Sequence, residues 1–411
     1  MQDALAQWLP QAGAARGTVQ DLAFRTMRRL GLASFLVGRL VARPPAPAVD
    51  ALLCVALALL TEDEPPYAPF TLVDQAVQAA ASRRDTAFAR GLVNAVLRNA
   101  LRERDALLAA AQQDPVARWN YPQWWQARVR EAWPQQWQAI LAAGNERPPM
   151  TLRVNRRHGT RDAYLLRLEQ AGLQAEPIGE DGLVLARPVP VERLPGFASG
   201  EVSVQDEGAQ RAAHLLGVRD GMRVLDACAA PGGKSGHLLE LADIELLAVE
   251  HQPARAARIG ETLSRLGLAA EVVVGDAAQP QAWWDGRAFD RILADVPCSA
   301  SGIVRRHPDI RWLRRAADLN ALAETQRRIL AALWPLLAPG GELLYVTCSI
   351  FPLEGEAQAA WFEQSFEDAV RLDAPGQCLP GPVVGAHTVR QDGFFYARFM
   401  KQPLLPCDER G

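Results

Sequence analysis

Residues 223–235 read Arg223-Val224-Leu225-Asp226-Ala227-Cys228-Ala229-Ala230-Pro231-Gly232-Gly233-Lys234-Ser235, an apolar strand that breaks into small residues and then opens a helix. Small side chains after a strand let backbone approach a ligand closely, and the helix start offers it unpaired N–H groups. Further strands are predicted at Glu245 to Glu250, Glu271 to Gly275, Phe289 to Asp295 and Glu342 to Thr347. Helical stretches such as His237 to Leu241 and Pro253 to Leu266 separate them. This alternation predicts a parallel sheet with right-handed crossovers, a doubly wound α/β domain over residues 220–402. Such sheets hold ligands outside the carboxyl ends of their strands.

Upstream, residues 1–143 read as an all-helical bundle. Apolar residues recur at helical spacing in Leu22, Met27, Leu30 and in Phe88, Leu92, Val96, and prolines at 44, 45, 47, 65, 66 and 115 mark the breaks. Asn145-Glu146-Arg147-Pro148-Pro149 reads as a linker. Residues 144–219 then predict a small α+β module, with strands at Met150 to Asn155 and Leu183 to Leu185 and a helix at Asp162 to Ala171. A chain of 411 residues accommodates these three domains.

The composition is that of a soluble protein, 49% hydrophobic and 22% charged. Its longest uncharged apolar run, Ala51 to Leu60, is half of a membrane span, and Met1-Gln2-Asp3 does not open a signal peptide. A cytoplasmic monomer without membrane contact is expected. A net charge of −3 gives no overall attraction for nucleic acid, so such a partner needs a local basic face. None of the six cysteines (54, 228, 298, 348, 378, 407) forms a CxxC pair, and no metal site is expected.

Gly233-Lys234-Ser235 suggests a phosphate loop, but that motif needs a glycine where Cys228 stands, and no G-x-G-x-x-G is present. Nucleotide hydrolysis and nicotinamide binding are excluded on that ground. Glu250 closes the second strand, 24 residues after Asp226, where an acid can accept hydrogen bonds from both ribose hydroxyls. Asp276 closes the third, within reach of an adenine amino group. Alone, either acid reads equally well as a solvated strand end; together, beside a glycine turn, they point to an adenosine site. Cys298, in Asp295-Val296-Pro297-Cys298, and Cys348, in Thr347-Cys348-Ser349, follow the fourth and fifth strands. Neighbouring strands lie ~5 Å apart, so both thiols can reach one base. Spacing does not say which thiol attacks.

These motifs, with Asp295 to Gly302, Tyr345 to Ser349, Arg305 to Arg315, Val202 to Asp206 and Asp392 to Ala397, resemble the RsmB/Nop/Sun family of RNA cytosine-C5 methyltransferases. The likeness covers roughly residues 20–401; Val296 and Ser301 stand where the family more often has alanine and threonine. It implies a Rossmann-like class I methyltransferase domain behind an RRM-like module and a NusB-like bundle, the latter on Phe88 to Arg98. It implies S-adenosylmethionine as cofactor, its methionine part along Cys228, Ala229, Ala230, Pro231, Gly232, Gly233 and Lys234. Glu250 would hold the ribose, Asp276 the adenine and Asp295 the reacting end. It further implies small-subunit (16S) ribosomal RNA as substrate, Cys348 as nucleophile and Cys298 as the release or base residue, with Asp295 at cytosine N3. In DNA cytosine methyltransferases the Pro-Cys thiol attacks instead.

Five arginines against one acid occupy residues 305–315. Arg305, Arg306, His307, Arg311, Arg314 and Arg315, beside Trp312, are therefore candidates to grip phosphate and stack on unpaired bases. Arg153 and Asn155 mark a second basic stretch in the small module. Adenine-N6 methylation is disfavoured because Val296-Pro297-Cys298 replaces the Pro-Pro-aromatic loop it uses. The alternative outside enzymes is an RNA-binding antitermination or assembly factor with a vestigial catalytic domain.

Overall fold

In the computed structural model, which describes residues 1–382 and 390–403 (Cys407 lies outside them), proline starts two of the long N-terminal helices. Pro47 and Pro69 occupy the first positions of Pro47–Leu60 and Pro69–Ser82, where the missing N–H leaves no bond unmade. With Leu30–Leu40 and Arg90–Arg102 these helices bury Leu36, Leu53, Leu57, Val93 and Leu97 in one core. Cys54 lies in it, its thiol pushed up to about 11 by burial and by Asp50. Every regular element from Met1 to Glu146 is helical.

The chain divides into two units: Met1–Glu146 with Val304–Arg314, and Arg147–Ile303 with Arg315–Gly411. The first recruits an eleven-residue segment from far along the sequence. Arg311, wholly buried, explains why. Its guanidinium donates to the carbonyls of Asn120 (3.2 Å) and Gly144 (2.5 Å) and to Asn145 Oδ1, and lies 4.0 Å from the Tyr121 ring centroid. Asn120, at the left-handed end of Pro115–Trp119, also accepts the Gly31 N–H (2.7 Å). A Cβ at Gly31 would come within 2.4 Å of the Val116 carbonyl, so only glycine fits.

The second unit begins with an antiparallel sheet in the order β2-β3-β1-β4, formed by β1 (Thr151–Val154), β2 (Ala175–Ile178), β3 (Gly182–Leu185) and β4 (Val202–Val204). The helix α1 (Arg161–Gln170), capped by Thr160, contributes Tyr164 and Leu168 to a core with Leu152, Leu183 and Val202. The helix α2 (Glu207–Leu216) leads to the larger sheet: β5 (Arg223–Asp226), β6 (Glu245–Glu250), β7 (Glu271–Val274), β8 (Phe289–Asp295), β9 (Leu337–Thr347), β10 (Ala369–Cys378) and β11 (Phe394–Lys401). Its order is β10-β11-β9-β8-β5-β6-β7. The five expected strands are parallel, and β8 does lie beside β9. The sheet as a whole is mixed, because β11 pairs antiparallel with β9 and β10 with β11. The helices α3 (Gly233–Leu241), α4 (Pro253–Arg265), α5 (Asp318–Leu333) and α6 (Glu356–Ser365) flank the sheet.

The small module grips α3. Arg153, on β1 and 1% exposed, donates to both Glu240 oxygens (2.8 and 2.6 Å), to Gln205 Oε1 (2.6 Å) and to the Gly233 carbonyl (2.7 Å). Arg157 donates to the Leu239 and Ala242 carbonyls and to Asp243. Breaking a buried ion pair on one side leaves an unpaired charge, whereas replacing both partners by apolar groups is often neutral. Arg153→Met should therefore cost about 3–5 kcal/mol. Arg153→Met with Glu240→Leu should recover most of that loss, as read from urea midpoints.

Candidate active site

The order of the large sheet reverses between β5 and β8, and the residues quoted for the site lie at the carboxyl ends around that point. Asp226 ends β5 and is fully buried; burial raises its carboxyl to about 7, against a hydrogen bond from Ser235 Oγ (2.7 Å). The following loop is fixed by backbone, with Ala227 N–H on the Leu293 carbonyl and Ala229 N–H on that of Val249. Gly232 has φ +93, and a Cβ there would meet Ile259 Cα at 3.1 Å. The positive φ calls for glycine, and a Cβ would crowd Ile259 as well. Lys234, in the first turn of α3, donates to Asp295 at the end of β8 (2.5 Å). Burial works against the ammonium and the Asp295 carboxylate outweighs it, so the pKa of Lys234 is raised.

Glu250 is buried at the end of β6 and accepts the Gln252 N–H (3.0 Å). Asp276, half-buried just past β7, accepts the Ala278 N–H (2.9 Å), and its carbonyl takes the Trp283 indole N–H (2.9 Å). Two carboxylates that can accept from ribose and adenine, with a glycine turn and a helix start, lie together on one sheet edge and could hold an adenosine-bearing cofactor.

Cys298 Sγ and Cys348 Sγ lie 3.4 Å apart. Cys298 is buried, while Cys348 is half-exposed. The hydrogen bond to Cys348, and then burial, holds the Cys298 thiol well above its ordinary pKa. One carboxylate that the sequence reading missed fastens both loops. Glu354, wholly buried, accepts from Ser299 N–H (2.7 Å) and Oγ (2.5 Å) after β8, and from Ser349 Oγ (2.7 Å) after β9. Gln326 of α5 donates to Glu354 (3.2 Å) and to the Pro297 carbonyl (3.0 Å). Ser301 Oγ lies 2.9 Å from Ser349 Oγ and accepts the Ile350 N–H. A Cβ at Gly302 would come within 2.1 Å of the Gly393 carbonyl, so the loops close only with glycine there. No spacing rule marks Glu354; the one available signal was an acid six residues beyond a reacting cysteine.

The basic candidates fall elsewhere. Arg153 and Asn155 are 1% exposed and bonded inside the second unit, Asn155 to the Gly200 carbonyl (3.0 Å). Arg305 and Arg311 are buried in the first unit, where Arg28 donates to the Arg305 carbonyl. All four were expected to contact RNA, and the fold buries their side chains. Arg153 and Arg311 donate to interior carbonyls, and Arg153 also to Glu240. Arg306, His307 and Arg314 are half-buried and Arg315 is exposed.

A family described as 16S rRNA methyltransferase RsmB/F matches residues 213–400, and its ferredoxin-like domain matches residues 121–192. The ribosomal RNA small subunit methyltransferase B of Pseudomonas syringae pv. tomato is 46% identical, over 96% of this chain and 91% of its own length. This chain belongs to the RsmB/F methyltransferase family. The namesake from Vibrio cholerae is 48% identical over 76% of this RsmB/F chain and 73% of its own. A solved methyltransferase homolog from Pyrococcus horikoshii, 26% identical, superposes with a TM-score of 0.61 over 71% of this chain and 99% of that one. This RsmB/F chain is thus a methyltransferase, with a ferredoxin-like domain beside a Rossmann-like one.

Displacing a reacting group by about 1 Å can cost ~10²-fold in rate. Glu354→Ala frees both cysteine loops at once and should slow methyl transfer by about that factor, with the circular dichroism spectrum retained. A rate within twofold of the parent would mean that the loops hold their places without the clamp.

Proposed function

We propose that the chain methylates carbon 5 of a cytosine in small-subunit ribosomal RNA, with S-adenosylmethionine as donor and Cys348 as covalent nucleophile. The carrying observation is the 3.4 Å approach of two thiols beside the Lys234–Asp295 pair. S-adenosylmethionine, when bound, supplies an electrophilic methyl group. The residues fit it: the loop Cys228 to Lys234 gives backbone for its methionine part, Glu250 hydrogen-bond acceptors for ribose and Asp276 an acceptor for adenine.

Cytosine C5 is a weak nucleophile until a thiolate adds to C6, and splitting the reaction in this way is the logic of covalent catalysis. Cys348, the more exposed sulfur, forms the C6–S bond. Lys234 and Asp295 together hold a proton toward N3, which lets the ring accept the addition. C5 then takes the methyl group. Once the Cys348 sulfur is bonded to carbon, it no longer holds the Cys298 thiol protonated. Cys298 is then the acid–base group that assists loss of the C5 proton and release of Cys348. The base must be unpaired or flipped out, since C6 is closed off within a stack.

Cys348→Ala should abolish methyl transfer and any denaturant-resistant protein–RNA adduct. Cys298→Ala should let that adduct accumulate. The reverse pattern would exchange the two roles, and bisulfite mapping of 16S RNA that shows no site dependent on this protein would refute the substrate.

A further inference from the structure

Away from the reacting edge, three side chains from three elements converge within the second unit. Asp181 lies in the turn between β2 and β3, His214 near the end of α2 and His237 in the middle of α3. His214 Nε2 is 2.8 Å and His237 Nε2 3.2 Å from the same oxygen, Asp181 Oδ2. One donor atom from each lies within 4.8 Å of the others. Asp181 is 4% exposed and His237 1%, while His214 keeps 23% of its side chain exposed. The other charged neighbours are Arg156, bonded to Asp181 Oδ1, Glu180, whose Oε2 is 3.6 Å from His214 Nδ1, and the buried Arg153–Glu240 pair, which lies close enough to act on His237 and Asp181.

We propose that Asp181, His214 and His237 bind one divalent transition-metal ion of the zinc class, which pins the small module to the methyltransferase domain. Two imidazoles and a carboxylate are a ligand set for such ions, and a structural site adds a fourth donor. Water or the exposed side chain of Glu180 can fill that place. Zinc bonds of about 2.0–2.2 Å put tetrahedral ligand atoms roughly 3.4 Å apart. From 2.8 and 3.2 Å, His214 Nε2 would move about 0.6 Å and His237 Nε2 about 0.2 Å away from the oxygen. A purely hydrogen-bonded role for Asp181 needs only one imidazole. The second, edge-on to the first with centroids 5.0 Å apart, brings another nitrogen to an oxygen already served. His237 also lies one turn beyond Gly233 and Lys234, so an ion here would steady the start of the cofactor loop.

The test uses the full chain stripped with EDTA and titrated with Co²⁺ alone. One equivalent should give the visible absorption of four-coordinate cobalt. One equivalent of Zn²⁺ should likewise raise the melting temperature, because an ion that binds only the folded state stabilises it. His214→Ala, at a partly exposed helix position, and Asp181→Asn, which keeps the side-chain shape, should each lose both effects while retaining the circular dichroism spectrum. The double variant Cys298→Ser, Cys348→Ser should keep both. An absent cobalt band in the folded parent, a band unchanged in both Asp181 and His214 variants, or a band lost with the thiols would overturn the site. None of these readouts depends on methyl transfer.

Discussion

The carboxylate of Glu354 is the point from which the reacting edge hangs. It takes hydrogen bonds from the loop after β8 and the loop after β9 together, and its own carbonyl accepts from Thr347 Oγ1 (3.1 Å). A buried charge of this kind is tolerable only where donors surround it, and here they come from Ser299, Ser349 and Gln326. The sheet supplies the other half of the constraint. β8 and β9 are parallel neighbours in a register that sets Asp295 opposite Val346, so both strands end at one level. A slip of one residue would turn every side chain over to the other face. Register brings the two loops level, and Glu354 draws the sulfurs to 3.4 Å.

The same economy of buried charge explains where the arginines went. Arg153, Arg305 and Arg311 look in sequence like grips for phosphate, yet each is 1% exposed or less. A guanidinium has five donors in a planar fork and suits carbonyls gathered from separate segments. Arg311 therefore collects the ends of two helical segments, and Arg153 joins β1 to both ends of α3. The cofactor loop at Gly233 is in this way braced by the small module as well as by its own domain. The partly or fully exposed residues of that basic stretch are Arg306, His307, Arg314 and Arg315.

Much of this was legible in the sequence, and for physical reasons. The five parallel strands are continuous apolar runs because helices cover both of their faces, and the ends of four of them follow from the acids at 226, 250, 276 and 295. The strands β10 and β11 were not legible. The former contains Pro375 and Gly376 at a break in its pairing, and the latter, Phe394–Lys401, carries too little alternation to separate it from a helix. β2 includes Pro177 and β4 has three residues, so neither stood out. Burial of the arginines was hidden for a different reason. Charge pattern along a chain carries no sign of which carbonyls a guanidinium will meet, least of all when Val304–Arg314 packs with residues nearly two hundred positions earlier.

The thiol pair shows how the geometry divides labour between two identical side chains. Two thiolates 3.4 Å apart would repel strongly, so at most one sulfur carries charge at a time. The hydrogen bond to Cys348 and then burial keep the proton on Cys298, and the other sulfur is the more exposed one that a base can approach. That asymmetry arises from position alone: Cys298 is buried in the loop after β8, whereas Cys348, the residue after β9, is partly exposed. It supports the proposed order, in which Cys348 attacks first and Cys298 acts only after its neighbour has become a thioether. Were the two equally enclosed, nothing in their chemistry would distinguish nucleophile from release residue.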